Sequence, residues 1–115
     1  MDTKHLIISN NLMNKETKIY IAGHNGMVGS SVWRKLISEG YSNLVGKSSK
    51  ELDLRNQQSV IDFFEEEKPD IVIDAAARVG GIMANNSFPY QFLMENLQIQ
   101  NNLIDTSLKN NVSKF

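Results

Sequence analysis

The stretch from Lys18 to Leu36, KIYIAGHNGMVGSSVWRKL, constrains this chain more than any other, because it joins an apolar run, a glycine-rich turn and an amphipathic segment without a break. Ile19, Tyr20, Ile21 and Ala22 follow Lys18 as a short apolar run, the composition of a strand buried on both faces of a parallel sheet. Gly23 ends that run, and Gly26 and Gly29 follow at intervals of three. From Val28 the apolar residues Val32 and Leu36 recur at helical spacing, with Trp33 and Ile37 alongside, so the turn is expected to open a helix.

Each glycine has a physical reason to be there. Gly23 permits a tight turn out of the strand, Gly26 presents no side chain to an anion approaching the backbone, and Gly29 lets the helix pack closely on the sheet. The free amides at the start of a helix, together with the positive end of its dipole, favour a phosphate. With a strand before it and a helix after it, the motif points to dinucleotide binding; a glycine-rich turn without a ligand is the alternative. A P-loop is excluded, since no Gly-Lys-Ser/Thr triplet follows.

The helix is expected to stop at Gly40, the residue type favoured just past a helix end. A short second strand is expected over 43–46, a polar loop over 47–50, and a further brief strand at Asp53 and Leu54. Asn56 or Arg55 then caps a helix whose apolar face is Val60, Ile61, Phe63 and Phe64 and which runs to Lys68. After Pro69 and Asp70, residues 71–75 form a third apolar run suited to a buried strand. Residues 76–88 lack regular spacing and form a long loop beyond that strand's C-terminal end, where open α/β sheets place ligands. A last helix is expected from Pro89 to about Asn110, and residues 112–115 resemble the approach to one more strand. Strands alternating with helices in this order imply an α/β fold, a Rossmann-type parallel sheet flanked by helices and joined by right-handed crossovers. The expected division is a loose leader over 1–17 and a partial dinucleotide-binding domain over 18–115.

A length of 115 residues allows one domain, and a net charge of −1 lacks the basic surplus that backbone-driven nucleic-acid binding needs. There is no cysteine, and His5 and His24 alone make a poor metal set, so no metal site is expected. No apolar run approaches a membrane span and the N-terminus has too brief an apolar patch for a signal peptide, so a cytoplasmic location is expected.

Cofactor choice is set at the end of the second strand, where a carboxylate would bind the ribose of NAD and repel the extra phosphate of NADP. Gly46, Lys47, Ser48 and Ser49 stand there instead. Lys47 offers a charge partner for a 2′-phosphate, so NADP(H) is the expected cofactor; a solvated loop lysine is the alternative.

The residues also resemble a known family. The spacing of Gly23, Gly26 and Gly29 is similar to that of the extended short-chain dehydrogenase/reductases. More narrowly, AGHNGMVGS at Ala22 to Ser30, KELDL at Lys50 to Leu54, and AAARVGGIMANNSFPYQFLMENLQIQNNLI at Ala75 to Ile104 resemble the GDP-L-fucose synthase family, whose members epimerise and reduce GDP-4-keto-6-deoxymannose. The resemblance covers 18–115.

It implies that Gly23, Gly26 and Gly29, with the Met27 and Val28 amides, hold the NADP pyrophosphate. It implies further that Asp53 and Leu54 line the adenine pocket, and that Ala75, Ala76 and Ala77 pass beneath the ribose and nicotinamide. Val79, Gly80, Gly81, Ile82, Asn85 and Asn86 would edge the nicotinamide and sugar site. For the alanines, ordinary core packing remains an alternative; for the glycines and asparagines of the loop, turn chemistry alone does. The resemblance also implies a homodimer through the helix over 89–110, with Phe92, Leu97, Ile104 and Leu108 as the pairing residues; packing on the domain's own sheet is the alternative, and both uses are expected along different flanks.

Two departures stand out. The family often carries arginine after the histidine, where Asn25 stands here, and its strand-end loop is often richer in arginine than Lys47-Ser48-Ser49. The family's catalytic serine, tyrosine and lysine have no counterpart: Tyr20, Tyr41 and Tyr90 are followed four residues later by His24, Val45 and Met94, so no Tyr-x-x-x-Lys exists. The expectation is an N-terminal cofactor-binding portion of such an enzyme, inactive alone. A non-catalytic NADP-binding module, or a portion of another sugar-nucleotide epimerase or dehydratase, remains an alternative.

Overall fold

The computed structural model describes residues 14–76 and 89–115. Three strands and three helices alternate: β1 (Ile19–Ala22), α1 (Met27–Ser38), β2 (Leu44–Val45), α2 (Gln57–Glu67), β3 (Ile71–Asp74) and α3 (Pro89–Lys109). The strands form one parallel sheet in the order β2-β1-β3, with Ile19 opposite both Leu44 and Ile71. The expected Rossmann-type sheet flanked by helices is therefore the observed one.

Alternation along β1 explains why every one of its residues is buried. Tyr20 and Ala22 point to one face, where Leu52, Val60, Phe63, Phe64, Val72, Ile99 and Leu103 pack with them. Ile19 and Ile21 point to the other, against Val32, Trp33 and Leu36 of α1. A strand in the middle of a doubly covered sheet has no solvated side, hence its unbroken apolar sequence.

The helix ends obey local chemistry. Gly40 takes φ +94, its N–H donates to the Ile37 carbonyl at 3.0 Å, and the Tyr41 N–H donates to the Leu36 carbonyl at 3.0 Å. That pair of bonds is the glycine-terminated motif in which two otherwise orphaned carbonyls are satisfied. At the start of α2, Asn56 rather than Arg55 is the cap, its Oδ1 accepting from the Ser59 N–H at 2.9 Å.

The brief strand expected at Asp53 and Leu54 is absent. Asp53 Oδ1 accepts the Arg55 N–H at 3.0 Å and the Asp53 carbonyl accepts the Asn56 N–H at 3.0 Å, so the segment folds into a turn. A short polar side chain that bonds the backbone two residues on offers an alternative to a sheet ladder, and here it prevails.

Of the expected leader, residues 1–13 lie outside the described residues, and 14–17 form a turn in which the Thr17 N–H donates to the Asn14 carbonyl at 3.0 Å. At the other end, the Val72 N–H donates to the Lys114 carbonyl at 2.9 Å, so the free side of β3 begins to pair in parallel where a further strand was expected.

Candidate dinucleotide site

The three glycines of the turn are glycine for three different reasons. Gly23 has φ +77, and a Cβ there would lie 2.5 Å from the Ala75 carbonyl oxygen and 2.7 Å from the Ala76 Cα. The turn leaving β1 is thus pressed against the chain leaving β3, and the Ala75 N–H donates to the Ala22 carbonyl at 2.8 Å to hold the two strand ends together. A Cβ at Gly29 would collide with the Gly23 carbonyl and stand 2.9 Å from the His24 Cα. At Gly29, helix α1 therefore packs tightly on the turn's own backbone, while Val32, Trp33 and Leu36 pack on the strands.

Gly26 differs from both. It takes φ −77, open to any residue, and a Cβ there would meet only the Gly23 carbonyl oxygen, at an ordinary 3.4 Å. It is the N-cap of α1 and offers no side-chain cap. The first bond of the helix ladder runs from the Ser30 N–H to the Gly26 carbonyl at 2.9 Å, so the ladder leaves the Met27, Val28 and Gly29 amides unused. The Met27 and Val28 side chains are exposed. Among the described residues nothing needs residue 26 to be bare, whereas an anion seated on these amides would need it.

Beside the turn lies a cavity of about 370 Å³ at the C-terminal ends of all three strands. Gly23 after β1, Lys47 after β2 and Ala76 after β3 line it, together with Asp53 and Leu54. This is the crevice that open α/β sheets offer to ligands. Five of the expected residues thus converge on one space, while Gly26, Met27, Val28 and Gly29 stand next to it at the start of α1. Ala75, just past β3, contacts the turn. Ala77, Val79, Gly80, Gly81, Ile82, Asn85 and Asn86 lie outside the described residues.

Four further residues line the cavity: Ser49, Leu52, Arg55 and Ile99. Leu52 and Ile99 give it, with Leu54, an apolar wall. No local pattern singles out Ile99, which belongs to the helical stripe of α3. The turn over 48–52 did carry a signal, Ser48-x-x-Glu51: the Ser48 N–H donates to Glu51 Oε1 at 2.8 Å and the Glu51 N–H to Ser48 Oγ at 3.3 Å. Those bonds, the Ser48 N–H foremost, hold the Glu51 carboxyl below the usual range.

Arg55 grips Asp53 with its Nε 3.0 Å from Oδ1 and its Nη2 3.1 Å from Oδ2. The side-chain bonds first, then the Arg55 N–H, hold the Asp53 carboxyl below its ordinary value. His24 has a packing role: its ring fills the space beside Gly46, where a Cβ would stand 2.5 Å from its Cγ, and lies 5.4 Å from the Trp33 ring. Its Nδ1 is buried without a hydrogen-bond partner among the described residues. Among the described residues no cluster of histidine and carboxylates suits a metal ion, and no helix is long and apolar enough to cross a membrane.

Residues 19–115 match the family described as the NAD dependent epimerase/dehydratase family. The chain belongs to that family. Among the epimerase/dehydratase relatives, GDP-L-fucose synthase 1 of Arabidopsis thaliana is 50% identical over 104 residues, which are 90% of this chain and 32% of that protein. GDP-L-fucose synthase of Escherichia coli K12 is 44% identical over 103 residues, again 90% of this chain and 32% of the relative. A solved GDP-mannoheptose C4 reductase from Campylobacter jejuni, with NADP bound, superposes at a TM-score of 0.77 and 45% identity, covering 87% of this chain and 32% of that one. The chain thus spans about a third of the length of these epimerase/dehydratase relatives.

Proposed function

We propose that the chain is the NADPH-binding N-terminal region of an enzyme that converts GDP-4-keto-6-deoxy-D-mannose to GDP-L-fucose. The observation that carries this is Gly26, bare at the open start of α1 although no contact among the described residues excludes a side chain there. The pyrophosphate sits on the amides of Met27, Val28 and Gly29. Gly23 and Gly29 keep the turn close enough to the strand ends for those amides to face one point. The adenosine enters the cavity beside Asp53 and Leu54, and Lys47 pairs with the 2′-phosphate. Ala75, Ala76 and Ala77 let the ribose and nicotinamide pass over β3, and Val79, Gly80, Gly81, Asn85 and Asn86 edge the sugar site.

When bound, NADPH supplies the hydride that reduces the 4-keto group after epimerisation at the two flanking carbons. The residues here bind and orient; none of Tyr20, Tyr41 and Tyr90 has the lysine that would raise its acidity for proton donation. A homodimer through α3 and a cytoplasmic setting complete this reading. The identity to the Campylobacter reductase favours one second reading, in which the substrate is a GDP-heptose with a keto group at the same carbon. Titrating the chain with NADPH tests the cofactor role: saturable quenching or enhancement of NADPH fluorescence is expected, and no binding at millimolar concentration would contradict it. Offering both GDP-keto sugars to a full-length enzyme that carries this region separates the two substrates.

A further inference from the structure

Three features of the cavity's outer lip belong together. Asp53 and Arg55 line the main cavity and also a second crevice formed with Asn56, Glu95 and Gln98, so the ion pair is the partition between the two. Among the described residues, Asp53 Oδ1 receives two donors from Arg55, the backbone N–H and Nε, each at 3.0 Å, whereas Oδ2 receives Nη2 alone at 3.1 Å. Arg55 is itself tethered to α3, its Nη1 lying 3.5 Å from Glu95 Oε1.

A carboxylate oxygen can accept about two hydrogen bonds, so Oδ1 is filled and Oδ2 keeps one open position. Without Arg55 the carboxylate would turn about its last bond and present either oxygen in any direction. With the guanidinium fork on both oxygens its plane is fixed. The guanidinium also balances the negative charge, so covering the pair with a flat ring leaves no stranded anion. The slot behind it, walled by Leu52, Leu54 and Ile99, suits such a ring.

We propose that Arg55 is a positioning residue for adenine recognition: it holds Asp53 so that Oδ2 faces the 6-amino group of the purine, and its bond to Glu95 ties that acceptor to α3. This rests on the reading of the cavity as the adenosine site of NADPH. The Arg55 bonds that hold the Asp53 carboxyl below its ordinary value agree with it, since the carboxylate remains an acceptor at neutral pH.

The test compares NADPH with reduced nicotinamide hypoxanthine dinucleotide phosphate, which carries an accepting oxygen where adenine carries a donating amino group. The unsubstituted chain is expected to prefer NADPH by on the order of tenfold, the worth of one hydrogen bond to a charged acceptor. In Arg55→Ala, and in Arg55→Lys, which keeps the charge but not the fork, that preference is expected to fall to about twofold or less, less than the worth of one such bond. Asp53→Asn, whose amide can donate to the hypoxanthine oxygen, is expected to abolish or reverse the preference and remains informative if the Arg55 variants fail to fold. A preference retained in the Arg55 variants, even with both affinities reduced, would overturn the proposal. So would an unsubstituted chain that binds both dinucleotides equally, whereas one that binds neither removes the NADPH reading and this proposal with it.

Discussion

The carbonyl oxygen of Gly23 occupies the place where a Cβ of residue 29 would stand. One backbone group of the turn thereby fixes how closely α1 can approach the strand ends, and with it the position of the helix-start amides. The obstacle is backbone, which cannot rotate aside as a flexible side chain would. Gly29→Ala is therefore expected to destabilise the fold by about 1–3 kcal/mol, the usual cost of overpacking, read as a lowered urea midpoint with unchanged slope. A midpoint equal to that of the unsubstituted chain would show that the turn gives way freely.

Tyr20 supplies the pH dependence. Its ring is almost wholly buried, 4.7 Å from the Phe63 ring and 5.9 Å from the Phe64 ring. Burial first, and the nearby Asp74 charge second, push the phenol far above its ordinary value. A group whose folded value is raised contributes stability that is complete below its unfolded value of about 10 and is lost as pH rises above it. Stability is expected to fall by about 1.4 kcal/mol per pH unit above pH 10 from this group alone. Tyr20→Phe should flatten that part of the profile, and equal alkaline slopes for the two proteins would rule Tyr20 out as the cause.

These two residues mark what the sequence makes legible. The run around Tyr20 announces a buried strand because a fully covered strand has no reason to alternate, and Gly40 and Asn56 announce helix ends because their roles are local. Asp53 misleads because its residue type permits both a strand edge and a turn, and the outcome depends on bonds to Arg55 that periodicity does not encode. Ile99 reaches the cavity only through the packing of α3 on α2, so its place is invisible in a helical stripe that looks the same all along. Gly29 was legible as a close contact, but its neighbour proved to be the turn itself.

Lys47 lines the cavity at the end of β2, where a carboxylate would favour NAD. Lys47→Asp is expected to shift preference from NADPH toward NADH by tenfold or more, about 1.4 kcal/mol, since it removes an attraction and adds a repulsion at the 2′-phosphate. Unchanged relative affinities in parallel titrations would leave Lys47 as a solvated loop residue.

Helix α3 uses two flanks. Ile99, Leu103, Thr106 and Ser107 are buried within the domain, whereas Leu97, Ile104 and Leu108 are exposed at 46%, 44% and 76%; the side chain of Phe92 lies outside the described residues. If the exposed flank meets a second copy, Leu97→Glu with Leu108→Glu is expected to halve the sedimenting mass while changing the stability of the monomer by no more than about 0.5 kcal/mol per site. A mass independent of concentration and of the substitutions would contradict dimerisation through this flank.

Gly26 separates folding from binding, because among the described residues no contact needs its bareness. Gly26→Ala places a Cβ 3.4 Å from the Gly23 carbonyl oxygen and within 4 Å of nothing else among the described residues, so thermal unfolding should differ from that of the unsubstituted chain by no more than about 1 kcal/mol. The decisive measurement is calorimetric titration of this variant with NADPH. An affinity reduced on the order of a hundredfold, about 2.7 kcal/mol, is the result expected if a pyrophosphate sits against residue 26; an affinity equal to that of the unsubstituted chain would contradict a dinucleotide at this turn.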